Sequence, residues 1–150
     1  MVTDVGFYHL IATPLERALP KLLEKVLESG ARAVVLAASE PRIESLDTAL
    51  WVYNPDSFLP HGTAGAGVPA DQPVFLTACE ENPNDAAILV LVDGVEPAFL
   101  STFSRCLDVF DGTDEVAVAA ARERWSARKA AGDDVTYWKQ AADGRWEKGT

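Results

Sequence analysis

Short apolar runs alternate with helix-period segments along this chain, and that alternation constrains the fold more than any other feature. Val5 to Leu10 and Ala33 to Ala38 read as strands, the second of them continuously apolar. An unbroken apolar run of that length fits a strand buried on both faces of a parallel sheet. Between them, Leu15, Leu19, Leu22, Leu23, Val26 and Leu27 recur at helical spacing, and Gly30 can close the helix. Thr13-Pro14-Leu15-Glu16 reads as its start, with Thr13 capping, Pro14 in the first helical position and Glu16 completing a capping box. Pro20 falls inside this pattern and is expected to kink the helix or shift its start. Ser39 can cap a second helix carrying Ile43, Leu46, Leu50 and Trp51.

Val74 to Ala78 and Ala87 to Val92 look like two more strands, joined through Glu80 to Asp85. The small, glycine-rich stretch from Thr63 to Gln72 reads as a surface loop. Pro97 to Phe103 is expected to start a third helix, with Cys106 to Phe110 as its end or as another strand. Asp114 to Ala131 is a helix that starts acidic, ends basic and is alanine-rich between. Val135 to Trp138 and Gly144 to Glu147 suggest a terminal strand or hairpin. The expected architecture is one α/β domain, residues 1–150, with a mainly parallel sheet flanked by helices.

The segment from Leu50 to Gly62 interrupts this order. It places Trp51, Tyr53 and Phe58 around Pro55, Pro60 and Gly62. The prolines remove backbone donors, so a regular interior element is not expected there. Its rings either complete a packing layer or stand half exposed as anchors for a protein partner.

Charge narrows the partners. The chain carries a formal net charge of −10, which argues against general binding to nucleic acid or an anionic membrane. Residues 122–150 nevertheless hold 7 of the 13 Lys/Arg and only 5 of the 23 Asp/Glu. A basic end on an acidic chain either receives an anionic partner or suits the helix dipole. Cys79 and Cys106 make no metal or redox motif and are expected to be buried free thiols in a reducing cytoplasm. No signal peptide and no run of membrane-spanning length is visible.

Chemical motifs are scarce. There is no G-x-x-x-x-G-K-[ST], and the glycines of 62–67 lack both the preceding strand and the following helix that a phosphate loop needs. No serine sits in a nucleophile elbow. His9 and His61 are the only histidines and have no metal-ligand spacing; His61, between Pro60 and Gly62, suits a loop histidine bonded to nearby backbone. Asp93-Gly94 is either a carboxylate at the carboxyl end of the sheet or a turn. No catalytic, cofactor or metal site is expected. The late helix is richer. Val118, Arg122, Trp125 and Lys129 share one face, an apolar floor with cations beside it. Such a face suits a peptide ending in an aromatic residue with a free carboxylate; the alternative is that Trp125 is core and the cations are solvated.

Taken in order, these residues resemble the chi subunit family of bacterial DNA polymerase III holoenzyme. The stretches that carry the resemblance are FYHL at 7–10, SEPR at 39–42, LDTALW at 46–51, PDSFLPHG at 55–62, FDGTD at 110–114, AARERW at 120–125 and VTYW at 135–138. The resemblance implies a Rossmann-like fold without nucleotide activity, and a non-enzymatic adaptor in DNA replication. It implies two partners: the acidic C-terminal tail of single-stranded DNA-binding protein, and the psi subunit of the clamp loader or a substitute tether. DNA would be reached only indirectly, no membrane is involved, and an XPD-like repair helicase is a further partner of the family. By the resemblance, the tail site comprises Val118, Arg122, Trp125, Lys129 and Thr136, and the tether site comprises Trp51, Phe58, Pro60 and His61. Two other readings compete, a small nucleotide-binding enzyme and a direct single-stranded DNA binder, opposed respectively by the absent phosphate motif and by the net charge.

Overall fold

In the computed structural model, which describes residues 3–53, 59–63 and 68–149, the alternation produces one sheet. The elements run β1 (Asp4–Leu10), α1 (Leu15–Glu28), β2 (Ala33–Leu36), α2 (Glu40–Val52), β3 (Gly62–Thr63), β4 (Val74–Thr77), β5 (Ile88–Leu91), β6 (Arg105–Asp111), α3 (Glu115–Ala130), β7 (Asp134–Gln140) and β8 (Trp146–Lys148). The strand order is β3-β4-β2-β5-β6-β1-β7-β8. Every neighbouring pair is parallel except the terminal hairpin, in which β8 runs antiparallel to β7. The expected α/β class with a mainly parallel sheet is therefore what forms.

Strand alternation sorts the apolar residues into two cores. Tyr8, Leu10, Val35, Leu76 and Val90 face α1 and α2, which contribute Leu19, Leu22, Leu23, Val26, Ile43, Leu46 and Leu50. Val5, Phe7, Val34, Leu89, Leu91 and Phe110 face the other way, toward α3. Only side chains two positions apart on a strand share a face, so β1 serves both layers.

Several local expectations change. Thr13 does not cap α1; Pro14 takes that place with no side-chain bond, and Thr13 is drawn instead to Gln140. Glu16 closes no capping box because its carboxylate pairs with Arg42. Helix α1 runs on across Pro20, which is buried within it. Gly30, at φ 83°, ends it as expected, in a left-handed conformation that a Cβ would strain. Ser39 caps α2 by accepting the Arg42 amide. The helix expected at Pro97 to Phe103 is only a 3₁₀ turn, Leu100–Thr102, while the uncertain stretch after it is β6, a strand inside the sheet. Within the expected surface loop, Thr63 pairs with Leu76 as an edge strand and Pro69–Asp71 forms a 3₁₀ turn; residues 64–67 lie outside the described residues. Cys79 is exposed rather than buried, because it sits in the turn beyond β4, where its amide donates to Thr77 Oγ1; Cys106 is buried as expected.

Helix α3 is held on the sheet by charge as much as by apolar contact. Of its side chains only those of Ala121 and Arg124 are fully buried. Arg124 donates from Nε and an Nη to the two oxygens of Asp108 in β6, at 2.7 and 3.0 Å. Burial pushes the Asp108 carboxyl above its usual range even against these two bonds. Removing one member of such a pair strands the other in the interior. Arg124→Met is thus expected to lose about 3–5 kcal/mol in urea unfolding, and a second change, Asp108→Leu, to restore most of it.

Candidate functional site

Alongside α3 lies a groove of about 490 Å³. Phe7 of β1 and Phe110 of β6 form its floor, Val118, Ala121, Arg122, Trp125 and Lys129 line the helix side, and Tyr137 of β7 forms the opposite wall. The Trp125 ring meets Phe7 edge-on at 5.6 Å and Tyr137 edge-on at 6.2 Å, so the floor is a continuous aromatic surface. Tyr137 is fixed from two sides. Its hydroxyl is hydrogen-bonded to His9 Nδ1, and Gly149 lies against its ring, where an added Cβ would come within 2.2 Å.

The four cations of α3 divide into two sets. Arg124 is paired with Asp108, and Arg128 lies 3.6 Å from an Asp133 oxygen. Arg122 and Lys129 are exposed and, among the described residues, form no ion pair with this chain's carboxylates. The two unpaired cations are the two that line the groove. The helical spacing therefore brings Val118, Arg122, Trp125 and Lys129 together around one cavity. Trp125 is half-buried, so it belongs partly to the core and partly to the groove.

Thr136 does not join them. It sits opposite Gly6 in the β1–β7 register, and an added Cβ on Gly6 would meet both Thr136 Oγ1 and the Tyr8 ring. Thr136 therefore shares the Tyr8 face of the sheet, away from α3. Its neighbour Tyr137, one residue on and on the opposite face, is a groove residue that sequence reasoning missed, as are Phe7 and Phe110 of the floor. The alternation Val135, Tyr137, Lys139 was the available signal.

The tether candidates form a second cluster at the end of α2. Trp51 is 54% exposed, and Val52 beside it is exposed as well. The Trp51 ring rests on His61, with centroids 4.7 Å apart. The buried His61 places Nδ1 2.7 Å from the Leu59 carbonyl and Nε2 3.0 Å from an Asp47 oxygen. His61 thus supports the tryptophan from below rather than presenting itself at the surface. Pro60 is partly buried next to it, and Phe58 lies outside the described residues.

A second cavity, about 880 Å³, opens at the carboxyl ends of β1, β5 and β6, where α/β folds commonly bind ligands. Its loop amides are already used. The side-chain oxygen of buried Gln140 accepts from the N–H groups of Ile11, Ala12 and Thr13 at 3.1, 2.8 and 3.1 Å, while its Nε2 donates to Thr13 Oγ1. Asp93 accepts from Arg42 and the Ala38 amide across the same crevice, so it is tied as an ion pair and a turn residue. Among the described residues no three His, Cys, Asp or Glu side chains are placed to hold a metal ion, and no helix is long and apolar enough to cross a membrane.

An aromatic groove rimmed by cations, together with a half-exposed tryptophan, makes a surface suited to holding another protein. Comparison with known proteins identifies the family. The family described as DNA polymerase III chi subunit, HolC, matches residues 2–136. The probable DNA polymerase III subunit chi of Rickettsia prowazekii is 31% identical over 105 residues, covering 70% of this chain and 64% of that protein, so the match spans less than two-thirds of that relative. The DNA polymerase III subunit chi of Escherichia coli is 27% identical over 128 residues, covering 83% of this chain and 86% of that one; that of Pseudomonas aeruginosa is 28% identical over 128, covering 83% and 87%. This chain belongs to the DNA polymerase III chi subunit family, the accessory subunits of the replicative polymerase.

Deleting the Gln140 carboxamide would leave three loop amides without their acceptor. Gln140→Ala is therefore expected to cost about 1–3 kcal/mol in chemical unfolding and to speed hydrogen exchange at Ile11, Ala12 and Thr13.

Proposed function

We propose that this chain is a non-enzymatic adaptor that captures the acidic C-terminal tail of single-stranded DNA-binding protein in the α3 groove and tethers it to the clamp loader. The observation that carries the reading is the groove itself, where Arg122 and Lys129, in no ion pair among the described residues, stand over an aromatic floor. A terminal carboxylate can take two parallel hydrogen bonds from the Arg122 guanidinium, and the ring of a terminal Phe can settle among Phe7, Trp125 and Tyr137. Lys129 lies one turn beyond Trp125 and steers the acidic residues that precede the Phe. DNA is reached through the partner, which suits a chain of net charge −10.

The tether side uses Trp51, with Phe58, Pro60 and His61, to hold the psi subunit or a substitute. Trp51 supplies a large ring already positioned on His61, and Val52 extends the apolar surface. A ring held in place before binding loses little freedom on contact.

Fluorescence anisotropy with an acidic peptide ending in Phe tests the first site. Arg122→Ala should weaken the free-acid peptide by about 2 kcal/mol or more, and amidating the peptide's C-terminus should do as much. Tyr137→Ala should weaken it and Thr136→Ala should not, since only the former lines the groove. Equal affinity for free-acid and amidated peptides would reduce the groove to a charged surface. For the second site, Trp51→Ala should keep the thermal stability of the parent chain while losing co-purified psi or its substitute. A large fall in melting temperature would make Trp51 a core residue instead.

A further inference from the structure

Behind the strand residues of the groove stands a titratable group that the helix face does not supply, His9 of β1. His9, Tyr137 and Lys139 stand on the same face of adjacent strands, since Phe7 pairs with Tyr137 and His9 with Lys139 in the β1–β7 register. The His9 ring is wedged between two groove residues, 5.0 Å from Phe110 and 5.7 Å from Tyr137, and its Nδ1 is bonded to the Tyr137 hydroxyl. Lys139 is exposed and, among the described residues, forms no ion pair. Lys139 and Arg122 are both close enough to act on the His9 ring through their charge, and Arg122 is the one that lines the groove.

We propose that His9, packed behind the groove residues Phe110 and Tyr137, is proton-linked to binding of the acidic tail, so that a positive charge forms near Arg122 on binding and the tail is held more tightly as pH falls. The proposal rests on the tail-binding reading above and adds to it the residue that tunes it.

The groups facing His9 come from every element around it: Tyr137 and Lys139 on β7, Phe110 and Asp111 on β6, the backbone of Gly112, and Arg122 on α3. In the free chain, burial and the two cations hold the imidazole below the ordinary value of 6.5, against the opposing pull of the Gly112 backbone and Asp111. Free His9 is thus mostly neutral near pH 7. A carboxylate seated on Arg122 cancels one of those cations and brings an anion to the same end of the groove. Both changes favour the imidazolium, so the bound chain takes up a proton that the free chain does not. Affinity then rises as pH falls through the value of His9 in the complex and levels off below its value in the free chain. One unit of difference between the two is a tenfold change in affinity. The peptide's own carboxylates, ordinarily near 4, stay ionised through this window.

The test is anisotropy of an acidic, Phe-terminated peptide on the tag-free chain at about pH 5.5 and about pH 8, at constant ionic strength. The parent chain should bind roughly three- to tenfold more tightly at the lower pH. His9→Gln should bind about equally at both, near the parent's affinity at the higher pH, and the amidated peptide should show a reduced pH response. The histidine signals of the parent chain, followed by NMR, should titrate at higher pH with peptide than without, which gives a readout even if a variant fails to fold. Peptide binding that is independent of pH in the parent chain, or a pH response that survives in His9→Gln, overturns the role of His9 while leaving the groove. Failure of the parent chain to bind the free-acid peptide at either pH overturns the tail-binding reading itself, and the role of His9 with it.

Discussion

The ion pair between Arg124 and Asp108 sets the geometry on which the groove depends. Helix α3 is built largely of alanine and polar residues, and it lacks the broad apolar stripe that usually fixes a helix's rotation on a sheet. Small side chains let a helix approach closely but specify its rotation poorly. A two-point guanidinium–carboxylate contact has one geometry, and this one is buried on the flank of α3 away from the groove. With Arg124 fixed toward Asp108, Trp125 falls on the other flank against Phe7 and Tyr137, and Arg122 and Lys129 come to the rim. The pair need not add net stability to do this, because burying two charges costs about as much as their attraction returns.

The second constraint is the period of two along β1 and β7. Each strand must serve two cores, and a single step along either exchanges them. Phe7 and His9 face α3, whereas Tyr8 and Leu10 face α1 and α2. On β7 the same rule sends Val135, Tyr137 and Lys139 to the groove side and sends Thr136 and Trp138 away from it. The β8 hairpin reinforces this arrangement from the far edge. Trp146 meets Tyr8 edge-on at 5.1 Å on one face, and Gly149 closes over Tyr137 while donating its amide to the Tyr137 carbonyl. The terminal residues, most of them beyond the span that the family matches, thus support the groove.

Much of this was legible in the sequence, and what was not has identifiable causes. Helical spacing alone gathered Val118, Arg122, Trp125 and Lys129, because neighbours on one helix face are set by local geometry. The floor they stand on was not legible, since Phe7, Phe110 and Tyr137 come from three strands whose adjacency depends on the sheet order. Thr136 entered the expected site through the family resemblance, and its face became visible only with its register against β1, which puts it opposite Gly6 and away from α3. The helix expected at Pro97 to Phe103 reduced to one 3₁₀ turn, where Leu100 and Phe103 are buried by a loop lying directly on the sheet. Thr13 read as a cap because the S/T-x-x-E pattern is local, while its actual partner, Gln140, lies 127 residues away.

That distant partner also bears on how a Rossmann-like sheet is suited to the adaptor role proposed above. In such folds the loop after the first strand turns its amides toward a ligand at the carboxyl end of the sheet. Here those amides converge on the carboxamide oxygen of Gln140, an acceptor supplied by the chain itself at the end of β7. A neutral oxygen satisfies the donors without bringing the charge of a phosphate, and the two cations lining the crevice are already engaged, Arg42 with Glu16 and Asp93 and Arg124 with Asp108. Among the described residues, Arg122 and Lys129 on α3 and Lys139 on β7 are exposed cations that form no ion pair. On the function proposed above, the surface offered to a partner is therefore the helix-covered face of the sheet and its aromatic groove, and not the mouth of the sheet where such folds hold phosphates.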